Sequence, residues 1–309
     1  MTGASMRPED DVTGEDHWTQ KGDARIFLYE KYLDQPSGGA GTLVFVHGSS
    51  MASQPTFDLH VEGRPYSSAM NWFALQGFDT WCVDMEGYGR SSKDRDSHFM
   101  ISDGADDLKA ACGYIRETRG ADKVHVYGIS SGALRAALFA QRNPGMVDRL
   151  ALDAMVWTGD GSPTLEDRRK KLPEFKANRR RPIDLDFVRS IFSRDHSGGA
   201  EDKVVEAFAE AICALDDSIP NGTYVDMCEN LPIVDPRKLP MPTLLMRGQW
   251  DGIASMEDLL RFFNLLPNPD KQFKVMAGIS HASFQEINYL MVYEVLHSFL
   301  TQPAPTYRG

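Results

Sequence analysis

Apolar positions along this chain fall into two patterns that alternate. Short unbroken runs occur at Ile26-Phe27-Leu28-Tyr29, Leu43-Val44-Phe45-Val46, Asp79-Thr80-Trp81-Cys82-Val83 and Val124-His125-Val126-Tyr127, and again over 147–152, 243–246 and 273–276. Their length and their β-branched and aromatic content predict strands buried on both faces. Between them lie stretches with apolar residues three and four apart, over 66–76, 102–118, 131–142, 256–265 and about 282–299, which predict helices. The loop QPSGGAG after the first run reads as a hairpin or turn connection. Strand and helix in alternation predict an α/β fold, with a mostly parallel central sheet, helices on both faces, and binding loops at the carboxyl ends of the strands.

Two stretches break the alternation. Residues 1–24 are polar and acidic and read as a leader outside the core. Residues 157–239 read as a polar helical insertion containing the basic runs Arg168-Arg169-Lys170-Lys171 and Arg179-Arg180-Arg181. An excursion of this length between two core strands predicts a helical cap, so the core is expected over 25–156 and 240–309. Trp157, Phe175, Phe187, Phe192 and Phe208 could line an apolar pocket beneath that cap, although such residues more often just pack a helical subdomain. The Arg179-Arg180-Arg181 run reads as a solvated face rather than a substrate contact.

The 33 basic and 44 acidic residues give a net charge of −11, which argues against nucleic acid and anionic membrane as partners. Cys82, Cys112, Cys213 and Cys228 form no CxxC pair and are expected as reduced, mostly packed thiols. The first residues lack the basic start and apolar stretch of a secretory signal, and no run reaches the length of a membrane span, so a cytoplasmic location is expected. No HExxH motif or P-loop is present; neither metal nor cofactor is expected, the expected partner is a small-molecule substrate, and the oligomeric state stays open.

Candidate chemistry centres on Gly128-Ile129-Ser130-Ser131-Gly132, a G-x-S-x-G segment set between an apolar strand and an alanine-rich helix. In that setting Ser130 would sit on a tight turn with its hydroxyl projecting from the sheet. A serine hydroxyl needs a base, and His281, after the last strand, is the leading candidate. Asp251, after the penultimate strand, would orient the imidazole, giving the chain order Ser, Asp, His; Asp153 is the competing acid. The backbone N–H groups of Ser131 and of Ser49, in the His47-Gly48-Ser49-Ser50 loop, are the candidate oxyanion donors.

Together these residues resemble the α/β-hydrolase superfamily over about 26–299, in its serine-nucleophile form with a helical cap. The loop Asp84-Met85-Glu86-Gly87-Tyr88-Gly89-Arg90-Ser91-Ser92 resembles a D-x-x-G-x-G-x-S segment common there. Ala133 stands where many relatives have glycine, and HGSS differs from the HGGG of some lipases and esterases. The resemblance implies hydrolysis of a carboxylic ester through an acyl-enzyme. A carbon–carbon bond hydrolase of activated diketones and a non-catalytic binding protein are the alternatives. A serine at the elbow argues against the aspartate-nucleophile dehalogenases and epoxide hydrolases.

Overall fold

Most of the apolar runs bury both of their sides because alternate residues enter different cores, whereas 273–276 lies on an edge strand and fully buries only Met276. The structure, a computed structural model, describes residues 7–36 and 39–307. Its main sheet has eight strands: β1 (Val12–Lys21), β2 (Ala24–Leu33), β3 (Thr42–Val46), β4 (Asp79–Asp84), β5 (Val124–Ile129), β6 (Val147–Asp153) and, after an insertion with its own pair β7 (Arg180–Pro182) and β8 (Ser218–Pro220), β9 (Thr243–Gly248) and β10 (Lys271–Met276). The order across the sheet is β1-β2-β4-β3-β5-β6-β9-β10. β2 runs antiparallel to both neighbours, and every other pair is parallel.

The helices are α1 (Ser53–Phe57), α2 (Ala69–Leu75), α3 (Ile101–Arg119), α4 (Ser131–Arg142), α5 (Pro163–Arg169), α6 (Leu172–Ala177), α7 (Leu185–Ser193), α8 (Asp202–Cys213), α9 (Gly222–Val225), α10 (Met256–Leu265) and α11 (Tyr289–Thr301). Val44, Val46, Val126, Leu150 and Leu152 pack with α3 and α4 on one face, while Leu43, Phe45, Tyr127, Ala151 and Leu244 pack with α2 and α11 on the other. This period-two sorting produces the near-continuous apolar runs of a sheet covered on both sides.

Three expectations about the elements change. Residues 12–21, placed in an acidic leader, form edge strand β1, joined to β2 through the two-residue Gly22-Asp23 turn. Gly22, at φ 57°, takes the left-handed conformation such hairpin turns need. The QPSGGAG segment is a crossover, because β4 lies between β2 and β3; its residues 37 and 38 lie outside the described residues. The closing helix starts at Tyr289, leaving the segment around His281 as loop.

The insertion leaves the sheet after β6 and carries α5 to α9. It is tied to the loops at the carboxyl ends of β3 and β4: Arg181 donates to the Ser49 carbonyl (2.9 Å), Arg180 to the Gly87 carbonyl (3.0 Å), and Gly89 N–H to Asp216 (2.9 Å). The Arg180 and Arg181 side chains are therefore partly buried ties between insertion and core rather than a solvated face; Arg179 pairs with Asp96 at the surface. All four cysteines are free thiols, Cys82 and Cys112 buried and the other two partly so.

Candidate active site

The β5–α4 junction forces one residue into a conformation that side chains avoid. Ser130 has φ 57° and ψ −125°, outside the regions ordinary residues occupy. Its N–H donates to the Asp153 carbonyl at 2.9 Å, and its own carbonyl accepts the Ala133 N–H at 3.0 Å, opening α4. Gly132 makes this turn possible: a Cβ there would lie 2.3 Å from the Val46 carbonyl oxygen and 2.4 Å from that of His47. The helix thus begins directly against the end of β3, and the Ser130 side chain stays partly exposed.

Two loops converge on that hydroxyl. His281 Nε2 lies 3.0 Å from Ser130 Oγ, and its Nδ1 lies 3.1 Å from Asp251 Oδ1. A carboxylate only accepts, so Nδ1 carries the proton and Nε2 is left to accept from the serine. Asp251 Oδ1 also accepts the N–H groups of Ile253 (2.8 Å) and Ala254 (3.1 Å), while Arg247 donates to the carbonyls of Gly248, Gln249, Asp251 and Ala254. The His281 loop is braced by residues that sequence reading missed. Buried Glu286 accepts from the Ser280 hydroxyl (2.5 Å) and N–H (2.6 Å) and from the Ala282 N–H (3.2 Å). Arg64 donates to the carbonyls of Phe284, Gln285 and Glu286. No sequence motif marks either residue, because each acts on backbone groups far from itself in the chain or inside an irregular loop.

The rival acid sits elsewhere in the network. Asp153 Oδ2 accepts from the hydroxyls of Tyr127 (2.8 Å) and Ser283 (2.6 Å), and neither oxygen is hydrogen-bonded to His281. Burial pushes its carboxyl up to about 6, and the neighbouring Asp251 charge acts in the same direction. His47 is buried, and desolvation followed by the Arg135 charge holds it well below the usual imidazole range. The neutral ring donates from Nδ1 to the Gly48 carbonyl (2.7 Å) and accepts the Met85 N–H (3.1 Å), fixing the loop that carries Ser49.

A pocket of about 460 Å³, counting its mouth open to solvent, is lined by Ser130, His281 and Ser49 together with Met51, Ile191 and two arginines, Arg168 and Arg194. Ser131 lies behind it as the first residue of α4, where a helix N–H has no partner within the helix. None of Trp157, Phe175, Phe187, Phe192 and Phe208 lines this pocket. Phe192 packs edge-on against Phe208 and Phe175 against Tyr224, which holds the insertion together, while Trp157 packs edge-on against Phe262 of α10. Asp195, Asp251 and His281 offer ligand atoms within 4.8 Å of one another. Arg194 already engages Asp195 through two hydrogen bonds, and the other two residues are engaged as described.

Comparison with known proteins gives the family and the fold. The model of the family described as serine aminopeptidase, S33, matches residues 41–288, which span β3 through the His281 loop. The chain belongs to the serine aminopeptidase S33 family. It is an α/β-hydrolase, as the sequence resemblance implied. A 2-hydroxy-6-oxononadienedioate/2-hydroxy-6-oxononatrienedioate hydrolase of Pseudomonas putida is 25% identical over 243 residues, 74% of this chain and 78% of that protein. Among solved structures, a thermophilic esterase from Thermogutta terrifontis superposes with a TM-score of 0.68 at 19% identity, covering 93% of this chain and 98% of the other. A 2-hydroxy-6-oxo-6-phenylhexa-2,4-dienoate hydrolase from Rhodococcus sp. strain RHA1 gives 0.67 at 16% identity, covering 93% and 99%. At these identities the two structures speak for the shared fold. In this S33-family chain, among the described residues, no helix is long and apolar enough to cross a membrane.

Proposed function

We propose that this hydrolase cleaves a carboxylic ester through an acyl-enzyme on Ser130, with His281 as the base, Asp251 as the orienting acid, and the N–H groups of Ser49 and Ser131 as oxyanion donors. The observation that carries the reading is the relay Ser130–His281–Asp251, with steps of 3.0 and 3.1 Å, ending on a strained elbow in a lined pocket. His281 Nε2 takes the hydroxyl proton as Ser130 Oγ bonds to the carbonyl carbon. The carbonyl electrons move onto oxygen and are held by the two N–H groups. Collapse expels the alkoxide, which takes the proton back from His281; water activated by the same imidazole then releases the acid. The insertion over 157–239 serves as the cap and carries Arg168, Ile191 and Arg194 to the pocket.

A second reading is hydrolysis of a carbon–carbon bond in an activated diketone, favoured by the Pseudomonas putida relative that is named as a 2-hydroxy-6-oxononadienedioate hydrolase. Fluorophosphonate treatment followed by peptide mass spectrometry tests the shared step. Ser130 should be modified in the wild type, and Ser130→Ala should lose turnover by about 10⁶ while keeping its melting curve. An unmodified Ser130 in folded protein would reject the nucleophile. Parallel assays with an ester, an aminoacyl amide and an activated diketone then separate the reaction classes.

A further inference from the structure

With 44 acidic side chains against 33 basic ones, a guanidinium left without a carboxylate beside a pocket calls for a reason. Arg168, in the last turn of α5, is partly buried and lines the pocket over Ser130. Among the described residues no hydrogen bond or ion pair engages it; its guanidinium carbon lies 4.1 Å from the centroid of the Tyr224 ring. Arg181 lies 3.7 Å from the same centroid, and its two terminal nitrogens donate to neutral oxygens, the carbonyls of Ser49 and Pro220 and the side chains of Ser50 and Asn221. Arg194 also lines the pocket, but Asp195 balances its charge. Burial opposes ionisation of Tyr224, yet the charges of Arg168 and Arg181, the Ser50 hydrogen bond and the charge of Arg194 together bring the hydroxyl down to about 7, a sign of how positive this corner is.

We propose that the pocket takes a substrate with a carboxylate near its scissile group, paired directly with Arg168 while Tyr224 supports the guanidinium and Arg181 adds to the positive field. The inference rests on Ser130 being the reacting residue, since that places the scissile carbonyl in the same pocket. Of the two guanidinium groups on the pocket wall, Arg168 is the one without a carboxylate, and beside Met51, Ile129, Ile191 and Ala282 it suits a single negative charge. A guanidinium fork matches a carboxylate, and desolvation strengthens the pairing. The substrate class is therefore a half-ester of a dicarboxylic acid.

The test compares monomethyl succinate, glutarate and adipate with the corresponding dimethyl esters. Wild type should favour the half-esters in kcat/KM by about 10- to 100-fold, and Arg168→Met should bring that ratio close to one, mainly through KM. Arg168→Lys keeps the charge without the fork and should give an intermediate ratio; it also serves if the methionine variant melts abnormally. Calorimetric titration of Ser130→Ala with succinate, glutarate and adipate reads the anion site without turnover, and adding Arg168→Met should weaken binding of the best of them about 10- to 100-fold. If wild type hydrolyses nothing but the diacid binds in an Arg168-dependent way, the anion site stands and the Ser130 reading falls. Preference for the diesters, or a ratio and diacid affinity that Arg168→Met leaves in place, overturns the proposal.

Discussion

Replacing Asp251 by asparagine should separate two jobs that its carboxylate performs together. Oδ1 receives the N–H groups of Ile253 and Ala254 at 2.8 and 3.1 Å, so an amide in this position must turn its oxygen toward them. That same oxygen faces His281 Nδ1, and the imidazole therefore keeps its proton on Nδ1 in Asp251→Asn. What is lost is the negative charge opposite the imidazolium formed during attack. Two unit charges about 4 Å apart at an effective dielectric near 20 attract by about 4 kcal/mol. The expected fall in kcat is therefore about a thousandfold. Asp251→Ala removes both charge and orientation and should fall further, by about 10⁴. Release of p-nitrophenol from a p-nitrophenyl ester, followed from pH 6 to 9, measures each variant against wild type and against Asp153→Asn, which should retain most activity. Refutation would be Asp251→Asn keeping more than a tenth of wild-type kcat, or Asp153→Asn losing as much as Asp251→Asn. Equal losses in the asparagine and alanine variants would overturn the claim that the two backbone amides fix the amide's orientation.

The other predictions concern stability. The Asp153 carboxyl is raised to about 6 from an ordinary 3.8, chiefly by burial. A raised carboxyl binds its proton more tightly in the folded than in the unfolded state, so its contribution is present below about pH 4 and lost as pH rises through about 6. Urea melts should show Asp153→Asn gaining up to about 3 kcal/mol on wild type between pH 4 and pH 8; parallel stability curves would contradict this. Gly132→Ala would place a methyl 2.3 Å from the Val46 carbonyl oxygen, and the backbones on both sides are fixed by sheet and helix. It should destabilise by about 1–3 kcal/mol or more and also lower fluorophosphonate labelling of Ser130; unchanged melting and labelling would show that the elbow has slack.

Strands β3 to β6, β9 and β10 were legible because they are buried on both faces or end in the core, and the Ser130, Asp251 and His281 positions because each follows a strand at the carboxyl edge of the sheet. Strand β1 was not, since Val12–Lys21 is an edge strand with most side chains in or near solvent, and its polar sequence carries no apolar alternation. Whether the insertion's aromatic residues line a pocket or pack its helices stayed open in the sequence for a related reason: apolar side chains announce burial but not the neighbour they are buried against.

The sequence by itself determined the α/β alternation, the serine elbow and the order of the three candidate residues, all of which follow from local periodicity and short motifs. Only the tertiary structure decided that Asp251 rather than Asp153 meets His281, that Glu286 and Arg64 brace the histidine loop, and that Arg168 and Arg181 converge on Tyr224 beside the pocket. Hydrogen bonds and charge balance depend on distances between segments remote in the chain, and no local pattern encodes those distances.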